Sequence, residues 1–395
     1  INMNKKQTIL LVGIGGYGHI YTDALLEYSG ENRIEIVGIV DPHPENYKRF
    51  SEFENRNISI FSSMNDFYKD ATADLVIIAS PIQFHCNQVV IGLENGSNVL
   101  CEKPLCATVE EAKKMKEAKE KSGKIVGIGY QWSFSQVNLD LKKDIINGVF
   151  GKAKKLKTIV LWPRDYDYYS RNKWVGKKKD QQGNWVMDSV ASNGTAHYLH
   201  NMFFILGKQM NESIRPQEVT AELYKAYDIE TYDTAVIRTI VEDGVELLYI
   251  ASHATYNIIG PEFYFEFEKG TISYGNHTNW LIVATFEDGT KKEYGNPIDD
   301  ESTKLWTMLE AIRSGDASIV TCTPETAISH TYCLDAADLS SKEYWCISKE
   351  FVNEYEKEGH HKGRNVIGLE EALLDCYKKN LLPSENQVPW AIGSE

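Results

Sequence analysis

The sequence predicts an α/β protein built in two parts, and two patterns carry that prediction. From Ile9 to Tyr130, short apolar runs alternate with helical stretches, the pattern of a doubly wound parallel sheet. From Glu218 to Tyr294, alternating segments joined by turns such as Glu242-Asp243-Gly244 and Glu287-Asp288-Gly289 follow instead. Asp-Gly turns between alternating segments mark antiparallel hairpins, so the second part is expected to be α+β with a large, mainly antiparallel open sheet. A length of 395 residues fits two domains. The expected divisions are residues 1–130, residues 131–365, and a C-terminal helix and tail over 366–395.

Ile9-Leu10-Leu11-Val12 reads as the first buried strand. Gly13, Gly15 and Gly18 follow in the order G-x-G-x-x-G, and His19 opens a helical stretch. In a dinucleotide site the first glycine permits a tight turn. The second lets backbone approach a pyrophosphate, and the third lets helix pack close to strand. The helix start then offers free N–H groups to the phosphates. Gly13, Ile14, Gly15, Gly16, Tyr17 and Gly18 are therefore the expected cradle. The second strand ends in Asp41-Pro42. A carboxylate there accepts hydrogen bonds from a ribose diol and repels a 2′-phosphate, so NAD is favoured. Arg49 and His43 lie nearby and keep NADP as the alternative.

Further strands are expected over residues 58–61, 74–81, 98–104 (running into a loop) and 124–130. Thr108 with Glu111 forms a capping box for a helix that stops at Gly123. In the second part, strands are expected over 154–162, 218–227, 234–241, 246–253, 262–267, 270–274, 281–286 and 291–294. Helices are expected over 193–206, 301–314, 325–348 and 369–379. Residues 164–183 read as a long surface loop of the kind that often binds ligands.

The formal charge of −14 argues against a nucleic-acid partner. No apolar run is long enough to span a bilayer, and the polar stretch over residues 1–7 lacks the apolar core of a signal peptide. The seven cysteines are odd in number and form no C-x-x-C pair, so neither a disulfide framework nor a zinc ribbon is expected, and a reducing cytoplasm fits.

Several motifs combine at Glu102-Lys103-Pro104, which follows the fifth strand. With the glycine loop, Val37-Gly38-Ile39-Val40-Asp41, and Ser80-Pro81 followed by His85, the chain resembles the Gfo/Idh/MocA family of oxidoreductases along nearly its whole length. The resemblance implies a Rossmann domain and then an α/β domain whose sheet often makes the contact of a homodimer or homotetramer. It implies hydride transfer between NAD and a sugar, polyol or glycoside. It places Lys103 beside the nicotinamide and the reacting hydroxyl, as the group that takes the hydroxyl proton. Ser80, Pro81, His85, Glu102 and Gln131 fall on the cofactor side, and Tyr130 and Trp132 border cofactor and substrate.

One segment departs from the family pattern. Many members carry Asp-x-x-x-His, where this chain has Asn193-Gly194-Thr195-Ala196-His197. On one helix, positions four apart share a face. His197 is then an acid/base candidate, and Asn193 can orient substrate but cannot take a proton. His200 stands where some members have a second aspartate; His197, His200 and Asp188 could hold a metal, but the spacing is weak evidence for one and no metal is expected. Trp162, Trp174 and Trp185 flank the long loop and offer faces for a sugar ring. Arg164 and Arg171 fit either an acidic sugar or exposed salt bridges. Two other outcomes stay open. One is glycoside cleavage with a recycled bound NAD, the other a non-catalytic nucleotide-binding sensor.

Overall fold

The computed structural model describes residues 6–28, 33–298 and 301–394. The polar start of the chain lies outside them, apart from Lys6 and Gln7. The chain forms two compact units. The first comprises Ile1–Ser135 and Ile298–Ile328, the second Gln136–Pro297 and Ser329–Glu395.

In the first unit the strands are β1 (Gln7–Val12), β2 (Ile34–Val40), β3 (Ile60–Phe61), β4 (Leu75–Ile78), β5 (Asn98–Cys101) and β6 (Val126–Ile128). The helices between them are α1 (His19–Glu27), α2 (Phe50–Asn55), α3 (Met64–Asp70), α4 (His85–Glu94) and α5 (Val109–Ser122). The sheet runs β3-β2-β1-β4-β5-β6, all parallel. Chain order reverses between β1 and β4, and ligands of such sheets bind outside the strand ends at that switch point. Ile9 and Leu10 of β1 are fully buried, as a central parallel strand covered on both faces requires. The Thr108–Glu111 capping box forms as the sequence predicts, and Gly123 ends α5 at a φ of 65°.

The second unit begins with α6 (Gln136–Ile146), β7 (Ala153–Leu161), α7 (Tyr166–Ser170) and α8 (Ala196–Ile205). The strands β8 (Glu218–Lys225), β9 (Thr234–Ile240), β10 (Glu246–Ser252), β11 (Ile259–Phe267), β12 (Gly270–Tyr274), β13 (Ile282–Phe286) and β14 (Lys291–Gly295) follow. With the later β15 (Trp345–Cys346), they make one sheet ordered β14-β13-β12-β11-β7-β10-β9-β8-β15. Only the β7–β10 and β8–β15 pairings are parallel. In the β9–β10 hairpin, Asp243 and Gly244 both take positive φ, at 63° and 72°, as the predicted Asp-Gly turn demands.

The chain then returns to the first unit through α9 (Thr303–Ser314), whose Leu309 carbonyl accepts from the Gln7 side chain at 2.9 Å. The division between units falls within α10 (Pro324–Ser341). The helix expected to reach 348 stops at Ser341, and the hairpin β16 (Val352–Lys357) with β17 (His361–Val366) follows it. Their short polar strands carry little apolar alternation to read. The last helix, α11 (Leu369–Lys379), and the tail are not a separate part as the sequence suggested. Leu369, Leu373, Cys376, Leu382, Val388 and Trp390 pack into one core with Ile159, Leu161, Val236, Leu248 and Ile250 of the sheet. Burial of each such side chain stabilises by about 1.5–3 kcal/mol, and this apolar patch of sheet needs a cover.

None of the seven cysteines is in a disulfide, and six of them are buried. Among the described residues, no helix is long and apolar enough to cross a membrane.

Candidate active site

Each glycine of the first loop does a different job. Gly13 has a φ of 81°, and a Cβ there would lie 2.7 Å from the Ala79 carbonyl oxygen. A Cβ on Gly18 would strike the Gly13 carbonyl at 2.0 Å, so helix α1 leaves the strand in close contact. Gly15 and Gly16 have nothing within 4 Å of a Cβ position, which leaves their backbone open to a ligand. Tight turn, close packing and open backbone together fit the pyrophosphate of a dinucleotide at the start of α1.

Asp41 closes this loop. Its carboxylate accepts the Ile14 N–H at 2.7 Å and the His43 N–H at 2.8 Å. Arg49, which kept NADP open in the sequence, is already occupied. Its guanidinium holds Glu52 through two bonds, at 2.6 and 3.1 Å, and reaches Glu27 at 3.0 Å. A 2′-phosphate would have to displace those carboxylates, so the site's own chemistry favours NAD.

The Glu-Lys-Pro loop is built around a buried ion pair absent from the sequence reading. Glu102 is 5% exposed and Lys304, from α9, is 1% exposed. Glu102 Oε1 accepts from Lys304 Nζ at 2.5 Å and from the Tyr21 hydroxyl, while Oε2 accepts the Lys103 backbone N–H at 3.1 Å. Burial and Glu102 push the Tyr21 phenol well above its ordinary pKa, so it stays a donor. Lys304 Nζ also donates to the Tyr17 hydroxyl at 3.1 Å, and that hydroxyl donates to Gln131 Oε1 at 3.1 Å. One ammonium thus ties the glycine loop to the loop that carries Lys103. No local sequence signal marks Lys304, because its partner is 202 positions away.

Other expected cofactor and substrate residues have structural work. His85 is buried between two carbonyls, Pro104 O at 2.8 Å and Ser80 O at 2.9 Å, and burial lowers its pKa despite both. It fastens the Ser80-Pro81 turn to the Lys103 loop and presents no ring nitrogen to a cofactor. The Ser80 hydroxyl donates to Gln88 at 2.5 Å. Tyr130 and Trp132 were expected at the substrate, yet both are buried. The Tyr130 phenol lies among Cys322, Leu105 and Cys106 in the core of this unit, where no sugar can stack.

In the second unit, the expected single helix over 193–206 is two pieces. Ser189 caps a π-helical turn, Val190–Gly194, which ends at Thr195 with φ −117° and ψ 16° before α8 begins. The four-residue spacing of Asn193 and His197 therefore does not run along one α-helix. The carboxylate missing at position 193 is supplied from five residues earlier. Asn193 Nδ2 donates to Asp188 Oδ1 at 2.9 Å, and Asp188 Oδ2 accepts the Gly176 N–H at 2.7 Å. His197 is the single α8 residue that is not buried. His200 is a core residue, stacked on Phe204 at 5.9 Å, and burial with His330 and Lys142 nearby holds its pKa well down. Neither histidine joins Asp188 in a metal-type cluster; among the described residues the cluster of that kind is Asp165, Asp167 and His361.

His253 was not anticipated. Its Nδ1 lies 2.8 Å from the Trp162 carbonyl, which only accepts, so Nδ1 carries the proton and Nε2 is a bare lone pair. A Cβ on Gly194 would lie 2.5 Å from that Nε2, so the imidazole packs directly beneath the Asn193-Gly194 turn. Burial and Arg164 push the His253 pKa down to about 3. Trp162 spends its indole N–H on the Gly260 carbonyl at 3.2 Å and meets Tyr198 edge-on at 5.5 Å.

Comparison with known proteins agrees with this geometry. A family model described as "Oxidoreductase family, NAD-binding Rossmann fold" matches residues 8–130. The chain is 28% identical over 125 residues to a D-glucoside 3-dehydrogenase of Escherichia coli, a stretch covering 32% of this chain and 35% of that protein. The matched stretches span 35% to 50% of the first three curated relatives. A scyllo-inositol 2-dehydrogenase (NADP(+)) of Bacillus subtilis matches more fully, at 24% identity over 375 residues, 88% of this chain and 98% of that one. Among solved structures, an inositol dehydrogenase homolog of Azotobacter vinelandii complexed with NAD+ shares the fold, with a TM-score of 0.72 at 15% identity over 86% of this chain and 96% of that one. Over residues 8–130, just under a third of its length, the chain matches the NAD-binding Rossmann domain of the Gfo/Idh/MocA family of oxidoreductases.

Proposed function

We propose that the protein is an NAD-dependent dehydrogenase or reductase acting on a CH–OH group of a sugar, polyol or glycoside. The observation that carries this is the anchoring of Glu102, which fixes the Lys103 backbone to the same buried ammonium that holds the glycine loop. Bound NAD+ supplies the hydride acceptor. As the C–H hydride leaves, the hydroxyl proton goes to the Lys103 amine, and the alcohol becomes a carbonyl. The Asp188–Asn193 pair and His197 orient the substrate, with His197 as an auxiliary proton carrier. Asp41 would hold the adenosine ribose, and the backbone of Gly15 and Gly16 would receive the pyrophosphate.

The test is a fluorescence titration with NADH and NADPH, followed by initial rates at 340 nm on a panel of sugars and polyols. Tight NADH binding with NADH formation on one or more of them supports the reading. Release of aryl alcohol from aryl glycosides, with no added NAD and no net NADH, would replace it.

Two further parts of the proposal are a cytoplasmic location, supported by seven cysteines of which none is in a disulfide, and a homo-oligomer through the large sheet. The face of β7 to β10 carries α11 and the tail, so the part left for a second copy is the outer face of β11 to β14, around Glu262, Tyr264 and Glu266. Light scattering on the purified protein tests the second.

A further inference from the structure

Two arginines of the second unit have no acidic partner. Arg164, just past β7, stacks its guanidinium 5.0 Å from the Tyr168 ring centre and 5.8 Å from that of Trp162. Arg171 lies 4.0 Å from the same Tyr168 ring and 6.0 Å from Trp174. Arg49, Arg238, Arg313 and Arg364 each hold a carboxylate. Among the described residues neither Arg164 nor Arg171 does, so the exposed salt bridges that their sequence allowed are not formed. The Arg164 Nε–H is buried and meets no acceptor. In a chain of formal charge −14, carboxylates are not scarce, so two guanidinium groups around one ring with no carboxylate among the described residues point to an anionic partner from outside.

The arginines adjoin the turn already assigned to the substrate. Tyr168, Asp188 and His253 line one small cavity. Asp188 holds Asn193, and His253 packs beneath Gly194. The Arg164 backbone N–H donates to the His253 carbonyl at 3.0 Å, which fixes where its side chain starts. A guanidinium stacked on a ring keeps its in-plane N–H edge free, and that edge matches the planar, two-oxygen face of a carboxylate. A phosphate would want backbone N–H groups as well. The Asp165 carboxylate caps the start of α7, accepting the Tyr168 N–H at 2.9 Å, and its charge opposes a phosphate there.

We propose that Arg164 and Arg171 form a subsite for a carboxylate on the carbohydrate, so that the substrates are sugar acids such as uronates. This rests on the dehydrogenase reading above. The test compares kcat/KM with NAD+ for sodium glucuronate and galacturonate against glucose, galactose and glucose 6-phosphate. The uronates should exceed the matched neutral hexoses by about 10- to 100-fold, the discrimination that a charged hydrogen-bonding pair supplies. Arg171→Gln should cut that ratio about tenfold, mainly through KM, and Arg171→Lys should restore part of it, since charge returns without the fork. Arg164→Gln should act the same way; if that variant melts early, Arg171→Gln decides alone. Uronates no better than hexoses, glucose 6-phosphate better than glucuronate, or a ratio unmoved in Arg171→Gln would each overturn the subsite. If no sugar reduces NAD+ even with the wild type, the dehydrogenase reading has failed. The subsite is then judged by saturation-transfer NMR of glucuronate against glucose. Binding selective for glucuronate and lost in Arg171→Gln upholds it, and equal binding overturns it.

Discussion

Lys304 and Glu102 lie 202 positions apart and close a buried ion pair of 2.5 Å. Water reaches neither side chain to any extent, at 1% and 7% exposure. Removing one member leaves the other charge buried alone, which typically costs about 3–5 kcal/mol. Lys304→Met should therefore lower stability in urea unfolding by that amount and weaken NADH binding, since Tyr17 and the Glu-Lys-Pro loop lose their common anchor. Lys304→Met/Glu102→Gln should regain most of the stability without regaining the affinity. A single variant that unfolds and binds like wild type would show that the pair is incidental.

Lys103 separates chemistry from binding. Its backbone N–H is committed to Glu102, and that bond does not depend on the side chain. Lys103→Met should lower kcat by about 10²–10⁴-fold, the usual contribution of a positioned acid or base, while the NADH dissociation constant stays within about threefold. Comparable losses in both would assign Lys103 to cofactor binding instead.

Asn193→Asp tests the departure from the family pattern. The substitution restores the commoner residue but places a second carboxylate at hydrogen-bond distance from Asp188 Oδ1. Two carboxylates so close share a proton, and one of them stays neutral near pH 7. The expected result is a kcat/KM at least about tenfold lower at pH 7, with an added ionisation in the pH–rate profile. Higher activity would mean that position 193, and not Asp188, is where this chemistry wants its carboxylate.

Two buried groups pull stability in opposite directions with pH. Burial raises the Asp233 pKa from 3.8 to about 7 in the fold. The folded state holds that proton after the unfolded chain has lost it, so this contribution is full below pH 4 and is lost as pH rises to 7. Burial lowers the His253 pKa from 6.5 to about 3. Its contribution is present above pH 6.5 and is lost as pH falls towards 3. Between pH 4 and 6.5 the two slopes oppose one another, each at about 1.4 kcal/mol per pH unit. Asp233→Asn should leave a stability that rises with pH in this window relative to wild type, and His253→Gln one that falls. Urea unfolding at pH 4.5, 5.5 and 6.5 reads both slopes.

Local rules carried much of the molecule. Three glycines at fixed offsets, the Asp that ends β2 and the Thr108–Glu111 box each fall in a short recognisable pattern, so each was legible even where, as with Asp41 and Ile14, the contact made is not local. The Asp-Gly hairpins of the second sheet were legible for the same reason. The failures share a different cause. Tyr130, Trp132 and His200 have the right chemistry for a sugar site, but exposure is a tertiary property, and all three are buried. Asn193 and His197 kept a helical spacing, yet a π-helical turn closes at Thr195 and separates them. Arg49 looked available to a phosphate until Glu27 and Glu52 were placed against it.

From the sequence come the expectation of a dinucleotide on the glycine loop, the candidacy of Lys103, and a second sheet of mainly antiparallel strands. Those features are encoded in short windows, where backbone sterics and hydrogen-bond spacing leave few alternatives. Tertiary contacts alone reveal that Lys304 anchors the Lys103 loop, that Asp188 provides the carboxylate beside Asn193, and that Arg164 and Arg171 meet aromatic rings but, among the described residues, no carboxylate. Each of those facts is a distance between residues that the chain brings together after folding. A buried charge in particular has no local signature, because what makes it tolerable is a partner that chain order does not reveal.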